Sequence, residues 1–260
     1  MSSARTAALG RFISSLIVPC AIALPMGVAV GAVDALFGRT LLPALLGALC
    51  ASATSGALGL EKFAVAFSLP DAIDAALLAS TLGLGAVFGL VGAAFAWLLA
   101  RAKAWSASMF MSPFSRVAAM GSAVAVATLL LFGGRYAGLG TNLISAGVAG
   151  EGVLPLDWLA KLLLAVATLA AGYQGGEVTP LFSIGASLGC VLAVPFGIDA
   201  ALAAALGYAA VFGGATNALL APALVGAEVF GYEALRLFSI ACAVACAVNF
   251  NQTIYSGQQR

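Results

Sequence analysis

The 260-residue chain is 63% hydrophobic and 8% charged, with a mean hydropathy of +1.10, whereas a soluble globular domain carries roughly 25% charge; a soluble fold is excluded. Its net charge of +1 supplies no field for nucleic acid. There is no histidine, which removes the commonest metal ligand and general base and every Ser-His or Cys-His pair, so neither a metal, a cofactor nor a catalytic group is expected.

Charge-free runs recur over 12–33, 40–60, 75–100, 178–198, 200–227 and 237–259, with shorter ones over 117–134 and 162–176. A signal peptide accounts for one such run and not for several, so the expectation is an all-α polytopic membrane protein of roughly seven to nine helices at about 20 residues per span. The polar breaks fall at 61–74, 101–116 and 135–157. The segment 101–116 collects Arg101, Lys103 and Arg116 without an acid, and 61–74 holds Glu61, Lys62, Asp71 and Asp74. The positive-inside bias puts the basic segment in the cytoplasm and the acidic one outside. Arg5 and Arg11 also favour an internal N-terminus, so one of the first two apolar runs is expected not to span.

Small residues four apart let helix backbones approach closely in lipid. That spacing occurs at Gly27 and Gly31, Gly85 and Gly89, and Gly185 and Gly189; packing within one subunit is favoured over a dimer seam. The five cysteines all lie in apolar runs. Cys242 and Cys246 share a helix face and read as small packing residues in preference to a ligand pair.

The stretch GYQGGEVTPLF, residues 172–182, interrupts this apolar background. Gly172, Gly175 and Gly176 disfavour a helix interior, and Pro180 suits the first turn of a new one. One helix is therefore expected to end near Ala171 and another to start near Glu177. A helix broken at membrane depth exposes N–H groups that lipid cannot satisfy, which makes the start of the second helix a candidate anion site. Glu177 has two readings: a carboxylate resting on its own helix dipole, or a titratable group on an ion and proton path.

At this point the residues resemble a known family. Gly176-Glu177-Val178-Thr179-Pro180 is similar to the G-x-F-x-P anion-binding motif of the CLC chloride channel and transporter family, and glutamate in its second position resembles the fluoride/proton antiporter branch. The likeness extends to GGRYAGLGTNLI (133–144), VFGGATNALLAPALVGAEVFG (211–231) and QTIYSGQ (252–258), and more weakly to 24–59, where Asp34 stands in place of a frequent glutamate. The resemblance implies a CLC-like fold of broken and tilted helices. The chain would be one transmembrane domain, with 1–60 matching the last helices of the first half and 61–260 the second half of the inverted repeat.

By the same resemblance, Gly176 and the amides of Glu177 and Val178, with the Tyr255 phenol, bind the anion, and Glu177 also couples protons. Thr179, Thr216 and Asn217 are candidates for a polar pathway; interhelical hydrogen bonds explain Thr216 and Asn217 equally well. Tyr255 read without the family is an interfacial aromatic, and Glu228 and Asp34 read as structural. The implied partners are fluoride or chloride, protons, the lipid bilayer and a second copy of the chain, in the inner or plasma membrane.

The departures are an absent Gly-Arg-Glu-Gly loop, which in the family carries a gating glutamate, and Ala218 where the fluoride branch tends to have proline. They imply a chain that is one part of a transporter. The function expected is fluoride movement against protons, with a chloride channel or exchanger and a non-transporting remnant or partner subunit as the alternatives.

Overall fold

A computed structural model describes residues 41–59, 64–65, 73–173 and 175–255, and for 41–46 the backbone alone. Asp34, Gly27 and Gly31 and the first apolar run lie outside the described residues. The chain divides into two compact units, Met1–Val65 and Ala66–Arg260. The described part of the first is a single helix, α1 (Leu41–Ala57), formed over the second apolar run.

The second unit runs α2 (Ala75–Met109), α3 (Pro113–Leu130), a 3-10 turn (Phe132–Gly134), α4 (Thr141–Ala149), α5 (Asp157–Ala171), α6 (Val178–Phe196), α7 (Ala200–Thr216), α8 (Leu220–Phe230), a second 3-10 turn (Tyr232–Ala234) and α9 (Leu235–Val248). No strand occurs among the described residues. Three of these helices, α2, α3 and α6, are long and apolar enough to cross a bilayer unaided, while α7 and α8 are apolar but shorter. The expectation of spans of about 20 residues is therefore met by part of the bundle only. Lipid requires that exposed backbone be internally bonded, but a helix enclosed by protein is free of that constraint and can be short or broken.

Helix α2 begins where Asp74 accepts a hydrogen bond from the Leu77 amide at 2.7 Å. The sequence marks 101–116 as a polar break, but α2 continues through Arg101 and Lys103 to Met109. Charge ended the hydrophobic run there without ending the helix, because alanine, arginine and lysine are good helix formers. The helix stops at Met109 with Phe110 extended; Ser112 is held out of the α region by Pro113, which serves as the first helical residue of α3. The apolar face of α2 is carried by Leu84, Phe88, Phe95 and Leu99, all buried, at a spacing that keeps them on one side of the helix.

Helix α7 is the centre of the unit. Asp199 caps its start by accepting from the Ala201 and Leu202 amides, and every residue from Leu202 to Thr216 is buried. It has no polar face, as a helix surrounded by others requires, and packs against α6, α2, α9, α8 and α4. Glycines allow these contacts. A Cβ on Gly185 of α6 would overlap the Gly207 carbonyl of α7, one on Gly189 would overlap the Ala203 carbonyl, and one on Gly85 of α2 would stand 2.9 Å from the Ala241 carbonyl of α9. Both described glycine pairs thus pack helices of the same chain. An aromatic group joins three helices around them: Phe182 of α6 stacks on Tyr208 of α7 at 4.0 Å, and Phe230 of α8 meets Tyr208 edge-on at 5.2 Å.

A polar knot fixes the start of α5. Asp157 is fully buried and accepts from the Arg135 guanidinium at 2.6 Å, the Tyr136 phenol at 2.7 Å and the Leu154 amide at 2.9 Å. Arg135 also donates to the Gly152 carbonyl. One turn on, buried Lys161 donates to the carbonyls of Tyr136 and Gly138 at 2.9 and 2.8 Å. Burial works against the Asp157 charge, but the hydrogen bonds from Arg135, Leu154 and Tyr136 outweigh it and hold the carboxyl below its ordinary range. Burial, then the bond to Asp157, pushes the Tyr136 phenol up to about 12.

Candidate functional site

Helix α5 ends at Ala171 and α6 starts at Val178, so the chain is interrupted where the glycines and Pro180 predict it. Gly172 closes α5 with φ at 100°, in the left-handed region that a side chain would strain. Pro180 occupies the first turn of α6, where its missing N–H costs nothing. Among the described residues, no acceptor is bonded to the amides of Glu177, Val178 or Thr179. Gly175 and Gly176 carry no neighbour within 4 Å of where a Cβ would stand, so the approach to those amides is open on that side.

The Glu177 side chain does not cap its own helix. Its Oε1 instead accepts from Lys103 Nζ of α2 at 2.7 Å. The carboxylate is about a fifth exposed and the lysine about half, a setting in which such a pair contributes only a few tenths of a kcal/mol to about 1 kcal/mol. It aims the carboxylate more than it stabilises the fold. The pair lines one wall of a cleft of about 360 Å³, with Ser106, Arg116, Gly172 and Tyr173 on the others. Glu177 therefore faces a polar cleft. The position of Lys103, which puts a cation beside Glu177, was invisible in the sequence because it depends on α2 extending beyond its apolar run.

Tyr255 reaches the same region on the tail after α9, and this tail is held by an amide network. Asn249, buried, donates to the Gly214 carbonyl at 3.1 Å, the Asn217 side-chain oxygen at 3.0 Å and the Gln252 carbonyl at 3.2 Å. Its oxygen accepts from the Asn251 amide at 2.8 Å, and the Asn217 amide group donates to Asn251 at 3.0 Å. Asn217 can end α7 with φ at 53° because asparagine tolerates the left-handed region. Two further bonds hold the tail to α7: the Ile254 amide to the Ala215 carbonyl at 2.9 Å and the Thr253 hydroxyl to the Thr216 carbonyl at 3.3 Å. The Tyr255 phenol lies within electrostatic range of the Glu177 carboxylate. The phenol offers one O–H donor.

The structure thus brings Gly176, Glu177, Val178, Thr179 and Tyr255 into one region. The Thr216 hydroxyl is given to the Phe212 carbonyl at 2.8 Å and Asn217 to the tail network, so both have structural partners. Asn249 was missed by the sequence reading, although the cluster Asn249, Asn251 and Gln252 at the end of an apolar run was a visible signal. Replacing Asn249 with alanine strands at least one buried acceptor and is expected to cost about 1–3 kcal/mol; limited proteolysis should then cut the tail beyond residue 249 faster than in the wild type.

Comparison with known proteins decides the family. The model of the voltage gated chloride channel family matches residues 17–249.

The chain belongs to the voltage gated chloride channel family.

It is 36% identical over 181 residues to a chloride/fluoride channel protein of Pseudomonas syringae pv. tomato, a match covering 67% of this chain and 40% of that protein. It is also similar, at 46% identity and a TM-score of 0.81, to the crystal structure of a CLC-type fluoride/proton antiporter, over 84% of this chain and 55% of that one. The chain therefore spans about half the length of the relatives it matches. Its helices and these likenesses make it a multi-pass membrane protein of a CLC type.

Proposed function

We propose that this chain forms part of a pathway carrying fluoride across a membrane in exchange for protons, with chloride as the alternative anion. In this reading the amides of Glu177 and Val178, next to Gly176, bind the anion with the Tyr255 phenol, and the Glu177 carboxylate carries the proton. The observation that carries the reading is the placement of a carboxylate at the residue that immediately precedes α6, beside its open amides and within electrostatic range of a phenol donor. Open amides at a helix start attract anions, and fluoride is a small, strong hydrogen-bond acceptor suited to converging N–H and O–H donors. A carboxylate at the same point couples the two ions, because its ionised form repels an anion from the amides and its protonation removes that repulsion. The likeness to a CLC-type fluoride/proton antiporter supports fluoride over chloride. A second copy of the chain as partner and the inner or plasma membrane as the location belong to the same proposal.

Reconstitution tests it. Vesicles loaded with fluoride and containing the wild-type chain should release it with accompanying proton uptake, and Glu177→Gln should lower proton-coupled efflux at least about tenfold, as loss of a general acid–base group does. Wild-type vesicles that release no more fluoride than protein-free ones would replace the transport reading with that of a partner subunit.

A further inference from the structure

Glu177 stands where a helix ordinarily caps itself. It takes helical angles, φ −73° and ψ −18°, directly before Val178, and a carboxylate at that point has free N–H groups and the positive end of the helix within reach of its own side chain. The carboxylate does not go there. It makes no cap hydrogen bond and lies instead on Lys103 Nζ of α2 at 2.7 Å. The two destinations are of similar strength, since a half-exposed ion pair and a carboxylate on a helix start each contribute little. Which one is taken decides whether the amides of Glu177, Val178 and Thr179 stay open.

Lys103 is delivered to this place by contacts separate from the ion pair. Ser106, buried three residues further along the same face of α2, donates to the Ala170 carbonyl in the last turn of α5 at 2.7 Å and to the Lys103 carbonyl at 3.0 Å. The end of α2 is thereby pinned against the end of α5, just before the interruption. Arg101, two residues before Lys103, is engaged on its own helix, over the Trp97 ring at 5.1 Å from its centre. Of the two basic residues on α2, Lys103 is the one that reaches the break.

We propose that Lys103 is a positioning residue for anion binding: it holds the Glu177 carboxylate off the amides at the start of α6, so that the protein does not fill the site with its own side chain. The proposal rests on the anion-transport reading and deepens it. With the carboxylate held aside, Glu177 acts on the anion through its charge and not by occupying the donors that the anion needs.

The test is fluoride binding by the purified full chain, measured by titration calorimetry, with amide hydrogen exchange over 177–179 followed in fluoride-free buffer. In Lys103→Gln, at a half-exposed position where folding is not at risk, the freed carboxylate turns onto its own helix. The stabilisation typical of a carboxylate at a helix start leaves the amides about threefold to sixfold less available, so Kd should rise by that factor and exchange at the occupied amides should slow by the same factor. Lys103→Arg should keep both at wild-type values, because a guanidinium also holds a carboxylate. In Glu177→Gln no ionised side chain competes, so adding Lys103→Gln to it should change neither Kd nor exchange. Equal weakening by Lys103→Gln in both backgrounds, with no amide slowed, would mean that the lysine acts on the anion by its own charge, and would overturn the proposal. Unchanged Kd and exchange in Lys103→Gln would mean that the carboxylate passes to water or to Arg116, which lines the same cleft; that result would also overturn it and leave the transport reading standing. No fluoride binding by the wild type would overturn both.

Discussion

Replacing Gly185 with leucine is expected to prevent assembly of the bundle. A side chain there must enter the Gly207 carbonyl of α7, and both partners are backbone, so no rotamer relieves the clash. Overpacking typically costs 1–3 kcal/mol and occasionally more; with a buried central helix as the obstacle, at least about 3 kcal/mol is expected. The effect follows from how membrane helices associate. Apolar surface gains little by leaving lipid for protein, so close backbone approach carries a large share of the attraction. Size-exclusion profiles in mild detergent should show aggregate where wild type is monodisperse. Gly56→Ala is the control: that helical glycine has nothing within 4 Å of a built Cβ, and alanine there should be neutral or stabilising by about 0.5–1 kcal/mol. A monodisperse Gly185→Leu protein would show that α6 and α7 can separate without loss of the fold.

The second large effect is expected at Asp157. Its removal leaves Arg135 and the Tyr136 hydroxyl facing each other without the carboxylate that joins them. Breaking a buried ion pair from one side costs about 3–5 kcal/mol. Arg135 is about a quarter exposed and regains some water, so Asp157→Ala should sit at the low end, near about 3 kcal/mol. The pH dependence has a definite sign. Because the carboxyl is held below its ordinary value, its contribution is complete above the unfolded value of about 3.9 and is lost as pH falls through the folded one. Resistance to SDS unfolding should therefore keep a constant gap between wild type and Asp157→Asn from pH 7 to 5, and the gap should close below about pH 4. A gap that stays open at low pH would mean that hydrogen-bond shape, and not charge, supplies the stability.

These two sites differ in how visible they were in the sequence. The glycine spacing at 185 and 189 announced close packing, because a four-residue repeat always places both residues on one helix face. Asp157 was visible only as the edge of a polar break. Its partners Arg135 and Tyr136 stand at the opposite edge of the same polar break, and nothing in their spacing says that the three converge.

The sequence by itself determined the solvent, the all-helical class and the interruption between Ala171 and Val178, because each is local: composition sets membrane residence, and glycine and proline set where a helix can stop. It also carried the ordered motifs that make this chain a member of its family. Only the tertiary structure decided that α2 runs on to Met109, that Lys103 thereby meets Glu177, that Asn249 ties the tail carrying Tyr255 to the end of α7, and that Arg116 faces the same cleft. Those are meetings between groups many residues apart. A charge ends a hydrophobic run without ending a helix, and the direction in which the extended helix delivers that charge depends on the packing of every helix beneath it.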